Sequence, residues 1–302
     1  MNQSAHSRRQ FLNRCAVASA AITVPLVANE SFAQKPEAPL FRISLAQWTI
    51  NREIRSGKVD NLDFAKVAHD HGIHAVEYVN QFFMDKATDE KYLGQMKTRA
   101  ADLGVKSLLI MCDNEGRIGD PDKEKRNKTV DNHRKWIDAA KFLGCHSIRV
   151  NAGSSGNWSE QVELAADGLS KLTEFGAKQD INVVVENHGG LSSNADWLAE
   201  VIQKVDHPMC GTLPDFGNFK IKNGHSYDSY RGIKKLMQWA KGVSVKDTVW
   251  DDKGTQSKLD FDRMLQIVLD ADYHGYCGIE FGNMASLNRS RKLLEESRER
   301  LS

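Results

Sequence analysis

Glu186 ends the apolar run Val183-Val184-Val185 and precedes Asn187-His188-Gly189-Gly190; Glu280 ends Cys277-Gly278-Ile279 and precedes Phe281-Gly282. A carboxylate at the C-terminal tip of a buried strand is a costly place for a charge. Its desolvation must be offset by a metal, a cation or a hydrogen-bond network. Asp215 follows a third apolar run, Cys210 to Leu213, across Pro214. Three acids brought together repel strongly at low dielectric, and a divalent cation is the simplest way to hold them. An all-oxygen ligand set suits Mn, Mg or Co better than a thiolate zinc site. His188 lies two residues beyond Glu186, so in extended backbone it points to the same side and is a candidate fourth ligand or substrate contact. A structural alternative is that each acid caps a helix or pairs with Lys246 or Arg149.

These residues need a scaffold that aims strand ends at one point. After residue 40 the chain repeats a short apolar strand, a loop and an amphipathic helix. Strands are expected over 42–46, 74–79, 106–111, 147–151, 182–186, 210–213, 242–246 and 276–280. Helices are expected over 62–71, 89–103, 129–143, 160–179, 195–204, 229–241, 261–271 and 285–300. Trp136, Ile137, Ala140 and Leu143 keep one helical face apolar. Gly72, Gly104, Gly144 and Gly275 follow helices, where a left-handed cap is expected. Eight alternating units predict an α/β fold, a single (β/α)8 TIM barrel over residues 34–302. An open doubly wound sheet is weakened by the absence of a Gly-x-Gly-x-x-Gly turn after the first strand.

In such a barrel the active site lies at the C-terminal strand ends. Read in order, these carry Gln47 and Trp48, then Glu77, then Asp113 and Glu115, then Arg149 and Asn151. Glu186 and His188, Asp215 and Asn218, Ser244, Lys246 and Asp247, and finally Glu280 complete the circuit. The set suits a polyol. Arg149, Asn151 and Asn218 offer donors, Trp48 an apolar wall, and Lys246 a cation for an enolate oxygen. Glu77 is expected either to contact substrate or to pair with Arg149 or Lys246. The charged run over 120–128 reads as a solvated loop opening the third helix.

The first 33 residues read as a twin-arginine signal peptide: Ser7-Arg8-Arg9-Gln10-Phe11-Leu12, a weakly apolar stretch, then Ser31-Phe32-Ala33 as a cleavage site. The stretch is about 14 residues, short of the ~20 of a membrane span, so no stable membrane anchor is expected. The expected partners are the twin-arginine export machinery and a small carbohydrate, the expected location is the periplasm, and a homo-oligomer is left open. A net charge of +1 gives no support for nucleic-acid binding. Cys112, Cys145, Cys210 and Cys277 sit in or beside apolar runs without a C-x-x-C pair and are expected to be buried thiols.

The chain resembles the xylose isomerase-like TIM barrels, a family of sugar isomerases, ketose 3-epimerases, inosose dehydratases and endonuclease IV-type enzymes. The resemblance rests on Ala75-Val76-Glu77-Tyr78, Val185-Glu186-Asn187-His188, Pro214-Asp215-Phe216-Gly217-Asn218, Val243-Ser244-Val245-Lys246-Asp247 and Gly278-Ile279-Glu280. It implies Glu186 and Glu280 as the acid and base that move a proton beside a carbonyl, with Asp215 as a further metal ligand. It also implies a histidine where this chain has Ser244, a much poorer ligand. The function expected is a metal-assisted isomerase or epimerase of an unphosphorylated sugar or keto-sugar. The alternatives are a lyase or dehydratase acting on a 3-keto-glycoside or keto-polyol, and a non-catalytic carbohydrate-binding barrel.

Overall fold

The computed structural model describes residues 39–221 and 225–302; the twin-arginine segment lies outside them. The strands are β1 (Arg42–Ala46), β2 (Ala75–Val79), β3 (Lys106–Met111), β4 (Ser147–Val150), β5 (Asn182–Glu186), β6 (Cys210–Leu213), β7 (Val243–Val245), β8 (Thr248–Trp250), β9 (Gln256–Lys258) and β10 (Tyr276–Ile279). Eight form one parallel sheet in the order β6-β5-β4-β3-β2-β1-β10-β7. The ring closes where Ser244 donates its N–H to Pro214 O (2.9 Å) and accepts from Phe216 N–H (3.1 Å). The expected (β/α)8 barrel is the observed fold.

The helices are α1 (Asn51–Arg55), α2 (Phe64–Asp70), α3 (Glu90–Asp102), α4 (Lys123–Leu143), α5 (Trp158–Ala177), α6 (Ala195–Val205), α7 (Ser229–Leu236), α8 (Phe261–Asp270) and α9 (Leu287–Leu301). Their apolar faces pack on the outside of the sheet, around Trp136, Trp197, Phe64 and Phe219. A smaller apolar layer of Ala46, Val79, Leu109, Met111, Val184 and Leu213 fills the barrel interior. Residues alternate across a strand, so an inward Val184 sets Glu186 inward, and an inward Leu213 does the same for Asp215. The apolar plug is thus the floor of the site.

Three expectations are corrected. α4 begins at Lys123, not residue 129, because the Asp122 side chain accepts from the N–H groups of Glu124 and Lys125. The charged run is therefore largely helix, and its Arg126 is buried in a pair with Asp167 (2.6 Å). Gly275 is not a left-handed cap: Asp272 takes that conformation (φ 57°). Gly275 is needed because a Cβ there would lie 2.4 Å from the Tyr273 ring. The β8–β9 hairpin lacks the long alternating pattern of a core strand, and no strand was expected there. The four cysteines are free and buried. Among the described residues no helix is long and apolar enough to cross a membrane.

Glu77 lies a layer below the barrel mouth, two residues before the inward Val79. It is 1% exposed. Ser44 Oγ donates to its Oε1 (2.6 Å), and its Oε2 has no hydrogen-bond partner among the described residues. A Cβ at position 278 would fall 2.4 Å from Glu77 Oε1, so Gly278 makes room for the carboxyl. Burial raises this group from an ordinary 4.5 to about 7, against the opposing Ser44 bond. A raised carboxyl favours the folded state below its unfolded value and loses that contribution as pH climbs to the folded one. Glu77→Gln is neutral throughout. Its stability relative to the wild type is expected to improve by ~3 kcal/mol between pH 4 and pH 8. Urea unfolding at the two pH values measures this, and a pH-independent difference would refute it.

Candidate active site

The C-terminal strand ends deliver one carboxylate each from β5, β6 and β10. Glu186, Asp215 and Glu280 each offer an oxygen, and these all lie within 4.8 Å of one another. Glu186 and Asp215 are almost completely buried. The ends of β5 and β6 are latched together: Asn187 Nδ2 donates to Asp215 O and Asn187 Oδ1 accepts from Asp215 N–H, both at 2.8 Å. The Asp215 side chain accepts from the N–H groups of Gly217 (2.8 Å) and Asn218 (2.9 Å), which fixes its rotamer.

Two cations compensate the acids. Lys246 Nζ lies 2.9 Å from Glu280 Oε1 and 3.4 Å from Asp215 Oδ2. Arg149 Nη1 donates to Asp113 Oδ1 (2.8 Å), and its Nε lies 3.0 Å from Glu186 Oε2. The second contact is a charge contact without hydrogen-bond alignment, since both atoms are buried and without a hydrogen-bond partner among the described residues. Asn218 Nδ2 donates to Glu186 Oε1 (2.9 Å). Ser244 Oγ lies 2.5 Å from Glu280 Oε2 and 3.0 Å from Asp215 Oδ2. A serine has one proton, so it serves one acid at a time, and the shorter contact favours Glu280.

These surroundings push the two glutamates apart. Burial drives the Glu186 carboxyl well above its ordinary range, and repulsion from Glu280 and Asp215 adds to it against Arg149. Burial also raises Glu280, but Lys246 and Ser244 outweigh it and hold that carboxyl low. A proton acceptor and a proton donor made from one residue type is the asymmetry that acid–base chemistry requires. Desolvation opposes the Lys246 charge, yet Asp215 and Glu280 win, and it stays an ammonium. Burial lowers the His188 ring, which favours its neutral form.

A sequence profile described as Xylose isomerase-like TIM barrel matches residues 65–302. The chain belongs to the xylose isomerase-like TIM barrel family. A Danio rerio relative named "Putative hydroxypyruvate isomerase" is 23% identical over 208 residues, 63% of this chain and 75% of that protein. Among solved structures, a xylose isomerase domain protein from Planctomyces limnophilus superposes with a TM-score of 0.69 at 19% identity, covering 88% of this chain and 98% of that one. The E. coli 3-keto-D-glucoside 4-epimerase does so with a TM-score of 0.66 at 15% identity, covering 85% and 99%. At these identities the structures carry the fold.

In this xylose isomerase-like barrel, Trp48, Arg149, Asn151, His188, Asn218, Lys246 and Glu280 line one cleft of about 380 Å³. Glu77 does not line it, for the reason of layering given above. His188 stands at the rim, outside the group of three close carboxylates. Trp158, the first residue of α5, lies outside the cleft lining and donates to Glu200 (2.6 Å). Sequence reasoning placed Asp113 at a strand end without a role. It accepts from Arg149, Asn151 (2.7 Å) and Gln81 (2.9 Å). Burial would raise its carboxyl, but these donors hold it at about 2. The missed signal was an acid two residues after an inward Met111, facing an inward arginine on the next strand.

The donor set fits a hard divalent cation. If Asp113, Glu186, Asp215 and Glu280 all ionise, Arg149 and Lys246 neutralise half of that charge, and a divalent ion would balance the rest. The buried Glu186 Oε2 faces Arg149 Nε at 3.0 Å without an aligned hydrogen bond, which leaves it acceptor capacity for an ion. Glu186, Asp215 and Glu280 would hold the ion as a three-carboxylate set, with Ser244 where the resemblance implied imidazole.

Proposed function

We propose that this protein is a carbohydrate isomerase or epimerase that moves a proton at a carbon next to a carbonyl, assisted by Mn, Mg or Co held by Glu186, Asp215 and Glu280. The observation that carries the reading is the convergence of those three carboxylates, with Glu186 and Glu280 in opposite electrostatic surroundings. When bound, the cation would polarise the carbonyl and stabilise the enediolate. Glu280, kept ionised by Lys246, takes the proton from carbon. Glu186, oriented by Asn218 and Arg149, returns one. The Lys246 ammonium offsets charge that develops on the neighbouring oxygen, and Asn151 and His188 bind hydroxyls from the cleft wall. The names of the Danio rerio and E. coli relatives agree with this class of reaction.

The Lys246 ammonium beside the base also favours a second reading. A donor there could protonate a departing oxygen after proton removal, which is elimination from a keto-glycoside or keto-polyol. Product mass separates the two, since isomerisation conserves it. The twin-arginine pattern supports export to the periplasm, and with it an unphosphorylated substrate.

The test uses proton NMR in D2O on a panel of unphosphorylated ketoses and keto-glycosides, with metal analysis of the purified protein. The expected result is exchange of the proton beside the carbonyl. Lys246 already occupies two of the three carboxylates and Ser244 replaces an imidazole. Chelation and dialysis are therefore expected to strip the ion, abolishing exchange, and Mn to restore it. Full exchange in metal-free protein would remove the cation from the proposal. Absence of exchange across the panel would remove the isomerase reading.

A further inference from the structure

The cleft above the carboxylates does not end at the reacting centre. His188, Asn218 and Lys246 line it and equally line a second cavity of about 470 Å³. The two spaces therefore share one wall, and apart from those three residues the second is lined by side chains with no part in the proton transfer. Its outer side is the β8–β9 hairpin, an insertion directly after the seventh barrel strand.

The hairpin's register determines what it presents. Thr248 pairs with Lys258, Val249 with Ser257 and Trp250 with Gln256. Residues directly opposite in an antiparallel pair share a face, and so do residues two apart along one strand. Thr248, Trp250 and Gln256 therefore stand together, and all three line the cavity. Val249 points the other way and is buried at 3% exposure, which anchors the hairpin to the barrel. Gln256 Nε2 donates to Thr248 Oγ1 (3.1 Å), tying the two strands on the cavity side. The Lys220 ammonium lies 5.0 Å from the Trp250 ring centroid and orients the indole. Ser193 adds a hydroxyl across the space.

One indole surrounded by hydroxyl, amide and ammonium groups matches the chemistry of a sugar ring, which has an apolar C–H face and a polar edge. A three-carbon keto acid or a single ketose would leave this cavity unfilled. Resting on the reading of the reacting centre given above, we propose that the cavity is a subsite for a second sugar ring. The substrate is then a disaccharide-type keto-glycoside, its reacting ring over Glu186 and Glu280 and its neighbouring ring against Trp250.

The experiment measures binding of glucose, maltose and cellobiose to the full chain by calorimetry, in wild type, Trp250→Ala and Gln256→Ala. At least one disaccharide is expected to bind about tenfold more tightly than glucose. Trp250→Ala is expected to erase that preference while leaving glucose unchanged. Gln256→Ala removes an exposed amide and its one bond to Thr248 while the Val249 anchor and the backbone pairing remain, and is expected to reduce the preference in the same direction. Equal binding of glucose and both disaccharides would overturn the subsite, and so would a loss of affinity shared equally by glucose. Deuterium exchange on 3-keto-glucose and 3-keto-maltose reports separately on the reacting centre. No exchange, with the Trp250-dependent preference intact, would sink the isomerase reading and leave the subsite standing.

Discussion

Glu280→Gln is expected to lower the rate of substrate proton exchange by roughly 10²–10⁴-fold while the protein stays folded. The amide is isosteric, and its oxygen can still accept from Ser244 or Lys246, which now stand 2.5 and 2.9 Å from the carboxylate. It cannot take a proton from carbon. The substitution also deletes a carboxylate that lies within 4.8 Å of the Glu186 and Asp215 oxygens. Glu186→Gln should have an effect of the same order, since it deletes the opposite partner while keeping the Asn218 contact to Oε1. Exchange rates at saturating substrate, with thermal melts alongside, measure both. Two variants that retained full exchange would show that proton transfer runs elsewhere.

Arg149→Met is expected to be the most destabilising of the single changes considered. Arg149 is 4% exposed and faces Asp113 and Glu186 at once. Removing one partner of a buried ion pair costs roughly 3–5 kcal/mol, because it leaves buried charge uncompensated. Here two carboxylates are left. For a domain of this size that corresponds to a fall in melting temperature of about ten degrees. The loss should shrink in acid. Asp113 stays ionised in the wild type down to about 2, so its contribution is present above the unfolded value and disappears as pH falls through the folded one. In the variant that carboxyl protonates at higher pH and no longer needs a partner. Urea unfolding at pH 7 and pH 4 checks the pair of statements; a cost below ~1 kcal/mol at pH 7 would show that the guanidinium is dispensable.

Much of this architecture was legible in the residues. The strand windows were readable because short apolar runs stop abruptly at polar or glycine residues. Glu186 and Glu280 were conspicuous for the same reason: a charge at the end of a run that is otherwise buried has few structural excuses. What local pattern could not supply was pairing between strands. Asp113 looks like any loop acid until Arg149 from the adjacent strand is set against it. Glu77 looks like another mouth residue until the layer is counted, which places it beneath the cleft in space left by Gly278. The charged opening of α4 looked solvated, because a buried Arg126 needs Asp167 from a helix remote in sequence. The hairpin was invisible because strands of three residues carry no period.

The sequence by itself determined the barrel and the identity of the acids at its mouth. Both follow from periodicity and from the cost of burying charge, which act along a few consecutive residues. Only the tertiary structure decided how those acids are shared: Lys246 and Ser244 with Glu280, Arg149 and Asn218 with Glu186, His188 left at the rim, and Trp250 brought over a second cavity. Those outcomes depend on distances of about 3 Å between separate strands. Electrostatics and hydrogen bonding change steeply over that scale, and no spacing along the chain encodes it.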